Sequence, residues 1–335
     1  MKIIVDAFGG DDAPLAVLQG CVQAAREYGV QILLAGDAEK IRKAAQENSL
    51  DIAGFEILQA GSVITMEDEP TEVIKGLADC SMAVGLKALA EGKGDAFVSA
   101  GNTGALVVGS SFLVGRIKGV RRAALAPLLP SDTGCFMLMD AGANLECRPE
   151  MLMQFGVMGS VYMQKIIGVE KPKVGLVNVG AEASKGTELQ TAAYALLQDA
   201  PVSFSGNVEA RDIPSGVCDV VVADGFTGNV ILKLTEGLGM MFYKNVKAVF
   251  LRNLLSKLSA VLVKNGLREF KRKLDYTEYG GAPLMGISEP VIKAHGSSNA
   301  LAFQNAIRQA KEFCERGVIE EIQANLPRSK RAQAK

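Results

Sequence analysis

Val98-Ser99-Ala100-Gly101-Asn102-Thr103-Gly104 decides the fold: an apolar run stops at small residues, Gly and Asn, and a helical pattern starts at once. The same order returns in Met139-Asp140-Ala141-Gly142-Ala143-Asn144 and in Val177-Asn178-Val179-Gly180 running on to Lys185-Gly186. It returns again in Val222-Ala223-Asp224-Gly225-Phe226-Thr227-Gly228-Asn229. Outward from these stretches, short β-branched runs alternate with longer helical periodicities, the signature of βα units in a mostly parallel sheet. The pattern predicts strands near 2–6, 30–35, 54–59, 95–99, 123–128, 134–140, 173–179, 202–205, 218–223 and 289–293. It predicts helices near 14–28, 38–47, 71–92, 103–115, 149–168, 186–198, 228–249, 251–272 and 298–316. The expected fold class is α/β, an αβα sandwich with a mostly parallel sheet. Residues 1–327 form one large domain, any two lobes sharing a continuous sheet around a cleft, with a protruding amphipathic segment at 251–273 and a basic tail at 328–335.

In a parallel sheet all strand C-termini point to one edge, where ligands bind in open α/β sheets. Helix N-termini with free N–H groups point there too and favour anions. The inference is a phosphate or carboxylate site assembled from several loops. The rival is that Gly and Asn merely turn tight corners; a single loop favours that rival, and four together favour a site.

Composition narrows the classes. A net charge of −1 supplies no global field for nucleic acid, and 48% hydrophobic residues allow a sizeable core. Six cysteines, none in a CxxC pair, suggest a reducing compartment. With no signal-peptide pattern and no apolar run of about 18 residues, a cytoplasmic protein is expected. A single histidine and isolated cysteines argue against a zinc site, and no metal or cofactor is expected. Gly180 to Thr187 has Lys and Gly in the wrong order for a Walker loop, and Gly237-Leu238-Gly239 lacks the third glycine of a dinucleotide fingerprint. Neither a GxSxG elbow, an SxxK pair, HExxH nor an EF-hand loop occurs.

Read in order, the loops resemble the phosphate acyltransferase family of bacterial phospholipid synthesis. The resemblance rests on Asp6 to Pro14, Ser99 to Ala105, Asp140 to Asn144, Gly175 to Gly180 with Lys185-Gly186, and Gly206 to Asp212. It continues through Asp219 to Asn229, Tyr279 to Gly286 and His295-Gly296-Ser297-Ser298, covering essentially residues 1–316. Two departures are Asp12, where the family usually has His, and Val73 to Cys80, which keeps only Lys75 of a segment usually rich in Arg and Lys.

The resemblance implies a fold like that of the phosphate acetyl- and butyryltransferases and, more distantly, the isocitrate and isopropylmalate dehydrogenases. It implies a homodimer that moves a fatty acyl group from acyl carrier protein to inorganic phosphate. The acyl phosphate would pass to a membrane glycerol-3-phosphate acyltransferase. A short-chain acyl-CoA phosphate transferase is the nearest alternative, and a non-catalytic membrane scaffold is a third reading.

The chemistry asks little of an acid or base. Phosphate is already largely ionised near neutral pH, and a thiolate is a tolerable leaving group. The site must position two anions and supply donors to the carbonyl oxyanion. Lys185, with backbone N–H groups around Gly180 and Gly186, is the first candidate for phosphate; a solvated lysine at a helix start is its rival. Asn178, Asn229 and Asn102 are candidate donors, with Thr103, Thr227 and Asn144 in the same loops. Asp224 and Asp140 could orient a cation or accept a proton, or cap the following helices. His295 could donate to phosphate or protonate the leaving sulfur. Arg211 could hold phosphate or pair with Glu209 or Asp212. Leu254, Leu255, Leu258 and Leu262 lie on one helical stripe with Arg252, Lys257 and Lys264 nearby, an interfacial pattern expected to meet the membrane surface. A buried bundle helix is its rival. Arg268, Lys271, Arg272 and Lys273 could meet the acidic carrier protein.

Overall fold

The computed structural model describes residues 1–267 and 280–326. The basic cluster Arg268, Lys271, Arg272 and Lys273 and the tail from Arg328 onward lie outside the described residues. The strands form two sheets rather than the one continuous sheet expected from the sequence.

The first sheet takes β1 (Lys2–Asp6), β2 (Gln31–Gly36), β3 (Glu56–Gln59), β4 (Ala96–Ser99), β5 (Ala124–Leu125), β11 (Ala282–Met285) and β12 (Val291–Lys293) in the order β3-β2-β1-β4-β12-β11-β5. It is parallel from β3 to β12, and β11 runs antiparallel to both its neighbours. The second sheet takes β6 (Leu128–Ser131), β7 (Gly134–Met139), β8 (Lys173–Asn178), β9 (Ser203–Glu209) and β10 (Val220–Val222) in the order β6-β7-β10-β8-β9, with only the β6 pairing antiparallel.

The central strands of both sheets, such as β1, β4 and β10, are covered on both faces, which is why they read as near-continuous apolar runs. Successive side chains alternate across a strand. Ile3 and Val5 therefore point into one core beneath α1 (Leu15–Tyr28) and α9 (Ala300–Glu315), while Ile4 points into another beneath α3 (Ser81–Ala90). The first of these cores is continuous with the layer beneath α5 (Pro149–Tyr162) and α6 (Glu188–Gln198) on the second sheet, through Phe155, Leu176 and Val220. The far face of the second sheet packs Leu138 and Val221 against Ile231 and Leu232 of α7 (Gly225–Leu251).

Local chemistry sets the boundaries. α2 (Ala38–Glu47) is capped by Asp37, which accepts from the Glu39 and Lys40 N–H groups. The pattern read as one helix over 71–92 is a 3-10 turn at Pro70–Ile74 followed by α3, the chain breaking around Gly76. α4 (Thr103–Gly109) and α5 each end in a π turn, at Ser110–Val114 and Met163–Ile167. The amphipathic pattern begins as a separate helix, α8 (Leu254–Leu262), because Asn253 caps it, its side chain accepting from Ser256 N–H at 2.8 Å. Strand β11 and the last helix, α10 (Val318–Asn325), were not expected from the sequence.

Candidate active site

Parallel pairing lines up the C-terminal residues of three neighbouring strands, β1, β4 and β12. Val5 pairs with Val98 and Ser99 pairs with Lys293, so Asp6, Ser99 and Lys293 form a row across the sheet edge. Ser99 Oγ donates to Asp6 Oδ2 at 2.7 Å, and the Phe8 N–H donates to Oδ1 at 3.2 Å. Burial pushes the Asp6 carboxyl above the usual range, against the pull of these donors. Lys293 is only 7% exposed, and its ammonium donates to the carbonyls of Ala100 and Ala294. Burial holds its pKa down from 10.5 to about 8, with Asp6 opposing the shift.

Lys293 faces a cavity of about 640 Å³ between the two sheets. That volume is within the ~300–1,000 Å³ of small-molecule sites. One part of the wall is apolar, with Met66, Val107, Val108, Leu125, Leu129 and Leu232. The other carries Thr103, Asn229, Lys233, Lys293, His295 and Ser298. Helix α7 contributes Asn229, Leu232, Lys233 and Glu236, spaced to share one helical face. Lys233 and Glu236 pair at 2.8 Å. Helix α7 sits this close because its first turn has no side chains in the way: a Cβ on Gly228 would lie 1.8 Å from the Asp140 carbonyl oxygen.

His295 accepts from the Ser297 backbone N–H through Nδ1 at 3.2 Å, so the neutral ring carries its proton on Nε2. Burial lowers its pKa below 6.5, which keeps the ring neutral at pH 7. Ser298 is 4% exposed, and its Oγ has no hydrogen-bond partner among the described residues. A buried hydroxyl without a partner costs about 1–3 kcal/mol, a cost relieved by a ligand that accepts from it. Together the groups offer a cation, a neutral N–H donor and a hydroxyl next to an apolar chamber.

The residues expected from sequence divide into three groups. Thr103, Asn229 and His295 line the cavity. Asn102, Asp140, Asn144, Asp224 and Thr227 build its walls from behind. Asp140 is 0% exposed and accepts from the N–H groups of Leu125, Ala143 and Asn144 and from Asn144 Nδ2, while burial raises its pKa. Asn102 caps α4 and donates to the Thr65 carbonyl at 3.0 Å. Asp224 caps α7, accepting from Thr227 N–H and Oγ1 at 2.9 and 2.8 Å, which is the capping alternative for this residue.

The third group stands apart. Asn178 braces the loop after β8 by donating to the Lys185 carbonyl at 2.9 Å; that loop, with Gly180, Lys185 and Gly186, does not line the cavity. Arg211 is exposed and lies 3.3 Å from Glu209 and 3.8 Å from Asp212, the pairing alternative weighed for it. Leu255 and Leu262 are 77% and 87% exposed on α8, while the side chains of Leu254 and Leu258 lie outside the described residues. No helix among the described residues is long and apolar enough to cross a membrane.

Sequence reasoning passed over Lys293, Lys233 and Ser298. A signal for Lys293 was present: a lysine closing the apolar run Pro290-Val291-Ile292, two residues before the only histidine. Charged residues are almost never fully buried without a partner or a task.

A family profile described as fatty acid synthesis protein matches residues 1–321. A phosphate acyltransferase of Alkaliphilus oremlandii is 49% identical over 322 residues, covering 96% of each chain. A phosphate acyltransferase of Thermoanaerobacterium thermosaccharolyticum is 48% identical over 326 residues, covering 97% of each. Among solved structures, a phosphotransacetylase from Streptococcus pyogenes superposes with a TM-score of 0.62 at 16% identity, over 97% of this chain and 94% of that one, a likeness of fold. Matched over nearly its whole length, and at almost half identity to relatives named phosphate acyltransferase, the chain belongs to the fatty acid synthesis protein family.

Proposed function

We propose that the chain transfers a fatty acyl group from acyl carrier protein to inorganic phosphate in the cavity between the sheets. The carrying observation is Lys293: a buried ammonium with no salt-bridge partner among the described residues, facing a chamber that is otherwise largely apolar. The acyl chain lies along Val107, Val108, Leu129 and Leu232, and phosphate sits on Lys293 with the Ser298 hydroxyl. A phosphate oxygen attacks the thioester carbonyl carbon. The C–O bond forms, the C–S bond breaks, and the electron pair leaves on sulfur. With hydrogen phosphate as nucleophile, its own proton balances the thiol that departs, so no external acid is consumed. His295 Nε2–H donates to the carbonyl oxygen as negative charge develops there. Asn229 supports the site from α7, and the backbone position of Thr103 brings the N-terminus of α4 to the same wall.

The product, a mixed anhydride with a long apolar chain, suits consumption at a membrane by a glycerol-3-phosphate acyltransferase. The exposed Leu255 and Leu262 on α8, with Lys257 and Lys264, support peripheral contact with that surface from the cytoplasmic side. Phe226, Val230, Leu234 and Leu238 form an exposed apolar stripe at four-residue spacing on α7 and support a homodimer.

The test is purified protein with palmitoyl-acyl carrier protein and radiolabelled phosphate, the acyl phosphate trapped as a hydroxamate. Phosphate-dependent product that is lost in Lys293→Met is expected. Loss in Lys185→Ala with Lys293→Met active would move phosphate to the loop after β8. Product from butyryl-CoA but none from the carrier would replace the long-chain reading by a short-chain one.

A further inference from the structure

A second concavity, of about 660 Å³, is lined by Arg116, Arg121, Arg122 and Arg148, with Glu146, Cys147 and Met151. The chain as a whole balances 36 basic against 37 acidic residues, so this concentration of one sign is local. The four arginines are exposed, and none has a carboxylate within 4.0 Å among the described residues. Lys118 lies in the same loop and is also exposed. The loop is held in place: Arg121 N–H donates to Gln154 Oε1 at 2.9 Å, Gln154 Nε2 donates to the Gly119 carbonyl at 2.9 Å, and Arg116 donates to the Arg121 carbonyl. The lining reaches the N-terminal end of α5, where Arg148 occupies the N-cap position and the helix dipole adds positive potential beside the first-turn Glu150. Four arginines against the single Glu146 of the lining leave an excess of like charge that repels itself, and an anionic partner relieves that cost.

The location narrows the partner. Leu125 lines the reaction cavity and Arg122 lines the arginine pocket, three residues apart in the chain and so separated by at most about 10 Å of backbone. A second segment makes the same passage, from Ala143 in one wall to Cys147 and Arg148 in the other. An acyl donor tethered to a protein by a flexible arm must dock its protein body close to the chamber that receives the thioester. We propose that the pocket of Arg116, Arg121, Arg122 and Arg148 is the docking surface for the acidic face of the acyl carrier, and this rests on the carrier-dependent reading above. Arginine suits the task because its planar fork pairs with carboxylates in two-point contacts. Charge complementarity of this kind governs encounter rate and salt sensitivity more than turnover at the chemical centre.

The experiment uses the full chain with Arg121→Glu plus Arg148→Glu, and the charge-preserving Arg121→Lys plus Arg148→Lys. Binding of carrier protein is read by fluorescence anisotropy, without turnover, across a salt series. Turnover is read separately with acyl-pantetheine, a thioester with no protein body. Reversal is expected to weaken carrier binding about tenfold or more and flatten its salt dependence, the lysine pair to stay within about threefold, and acyl-pantetheine turnover to remain unchanged. Unchanged carrier binding after reversal would overturn the proposal. So would an equal loss with acyl-pantetheine, which would make the arginines part of the cavity. Wild-type protein that binds carrier through these arginines but transfers no acyl group would sink the reaction and leave the docking surface standing.

Discussion

Replacing Lys293 by Met separates the chemistry from the fold. Side-chain length is nearly kept, so the packing of β12 survives while the ammonium is lost. Holding that ammonium's pKa down from 10.5 to about 8 corresponds to about 3 kcal/mol against the charged form. The folded value lies below the unfolded one, so between about 8 and 10.5 the unfolded chain binds more protons, and wild-type stability rises with pH across that window. Below about 8 the full penalty is present. At pH 7 the Met variant should therefore melt no lower than wild type. Phosphate affinity should move the opposite way. A hydrogen bond between charged groups is worth about 1.5–3 kcal/mol, so the KM for phosphate should rise by about 10- to 150-fold.

The assay is initial rate against phosphate concentration at saturating acyl donor, paired with a thermal melt. Its second signature is pH. Wild-type kcat/KM for phosphate should fall as pH climbs through about 8, where Lys293 loses its proton. In Lys293→Arg the guanidinium stays charged, and that alkaline limb should vanish from whatever activity remains. A Met variant whose KM for phosphate stays within twofold of wild type, or which keeps the alkaline limb, would refute the assignment.

His295→Ala should lower kcat by about a hundredfold, the cost of losing one donor to an oxyanion, with a smaller change in the KM for phosphate. Because burial lowers the pKa of this ring below 6.5, wild-type activity should be flat through neutrality on its account and fall only on the acid side, a limb absent from His295→Gln. Val230→Glu with Leu234→Glu should convert a dimer into monomer in sedimentation equilibrium; the same mass for both proteins at all concentrations would exclude the α7 stripe as the interface. Leu255→Asp with Leu262→Asp should cut co-sedimentation with anionic vesicles at least tenfold, since each buried leucine contributes about 1.5–3 kcal/mol. Unchanged co-sedimentation would remove α8 from the membrane contact.

The alternation of apolar runs and helical periods carried the parallel βα core because each of those signals is local. Lys2–Asp6 and Gln31–Gly36 could be read from their own residues. What could not be read was which strands pair. The two sheets differ from one continuous sheet only in hydrogen bonds between elements far apart in sequence, such as β4 with β12. Strand β11 escaped notice because Gly280, Gly281 and Pro283 look like turn formers, and proline removes a ladder donor. It is tolerated because the Pro283 carbonyl still accepts from the Ala126 N–H at 3.1 Å. The 71–92 helix was overextended because its apolar spacing continues past Gly76, where tertiary packing of Val73 and Cys80 replaces the helical register.

The site was legible as loops and illegible as a row of side chains. The Gly and Asn loops were expected to gather at one sheet edge; those after β4, β7 and β10 reach the cavity, the loop after β8 does not, and most of the named polar groups satisfy backbone. Asp140 alone accepts from three backbone N–H groups. Such residues shape a wall and have no capacity left for a ligand. Free capacity is what marks the functional groups, and it appears only when every partner in space is known. The Ser298 hydroxyl lacks a partner among the described residues, and the Lys293 ammonium donates to carbonyls, one of them 193 residues away in sequence. A fold that buries a lysine against about 3 kcal/mol of desolvation gives up stability at that point. Phosphate arriving at the ammonium would recover part of that cost in the form of binding, which is why this buried charge is the one to test first.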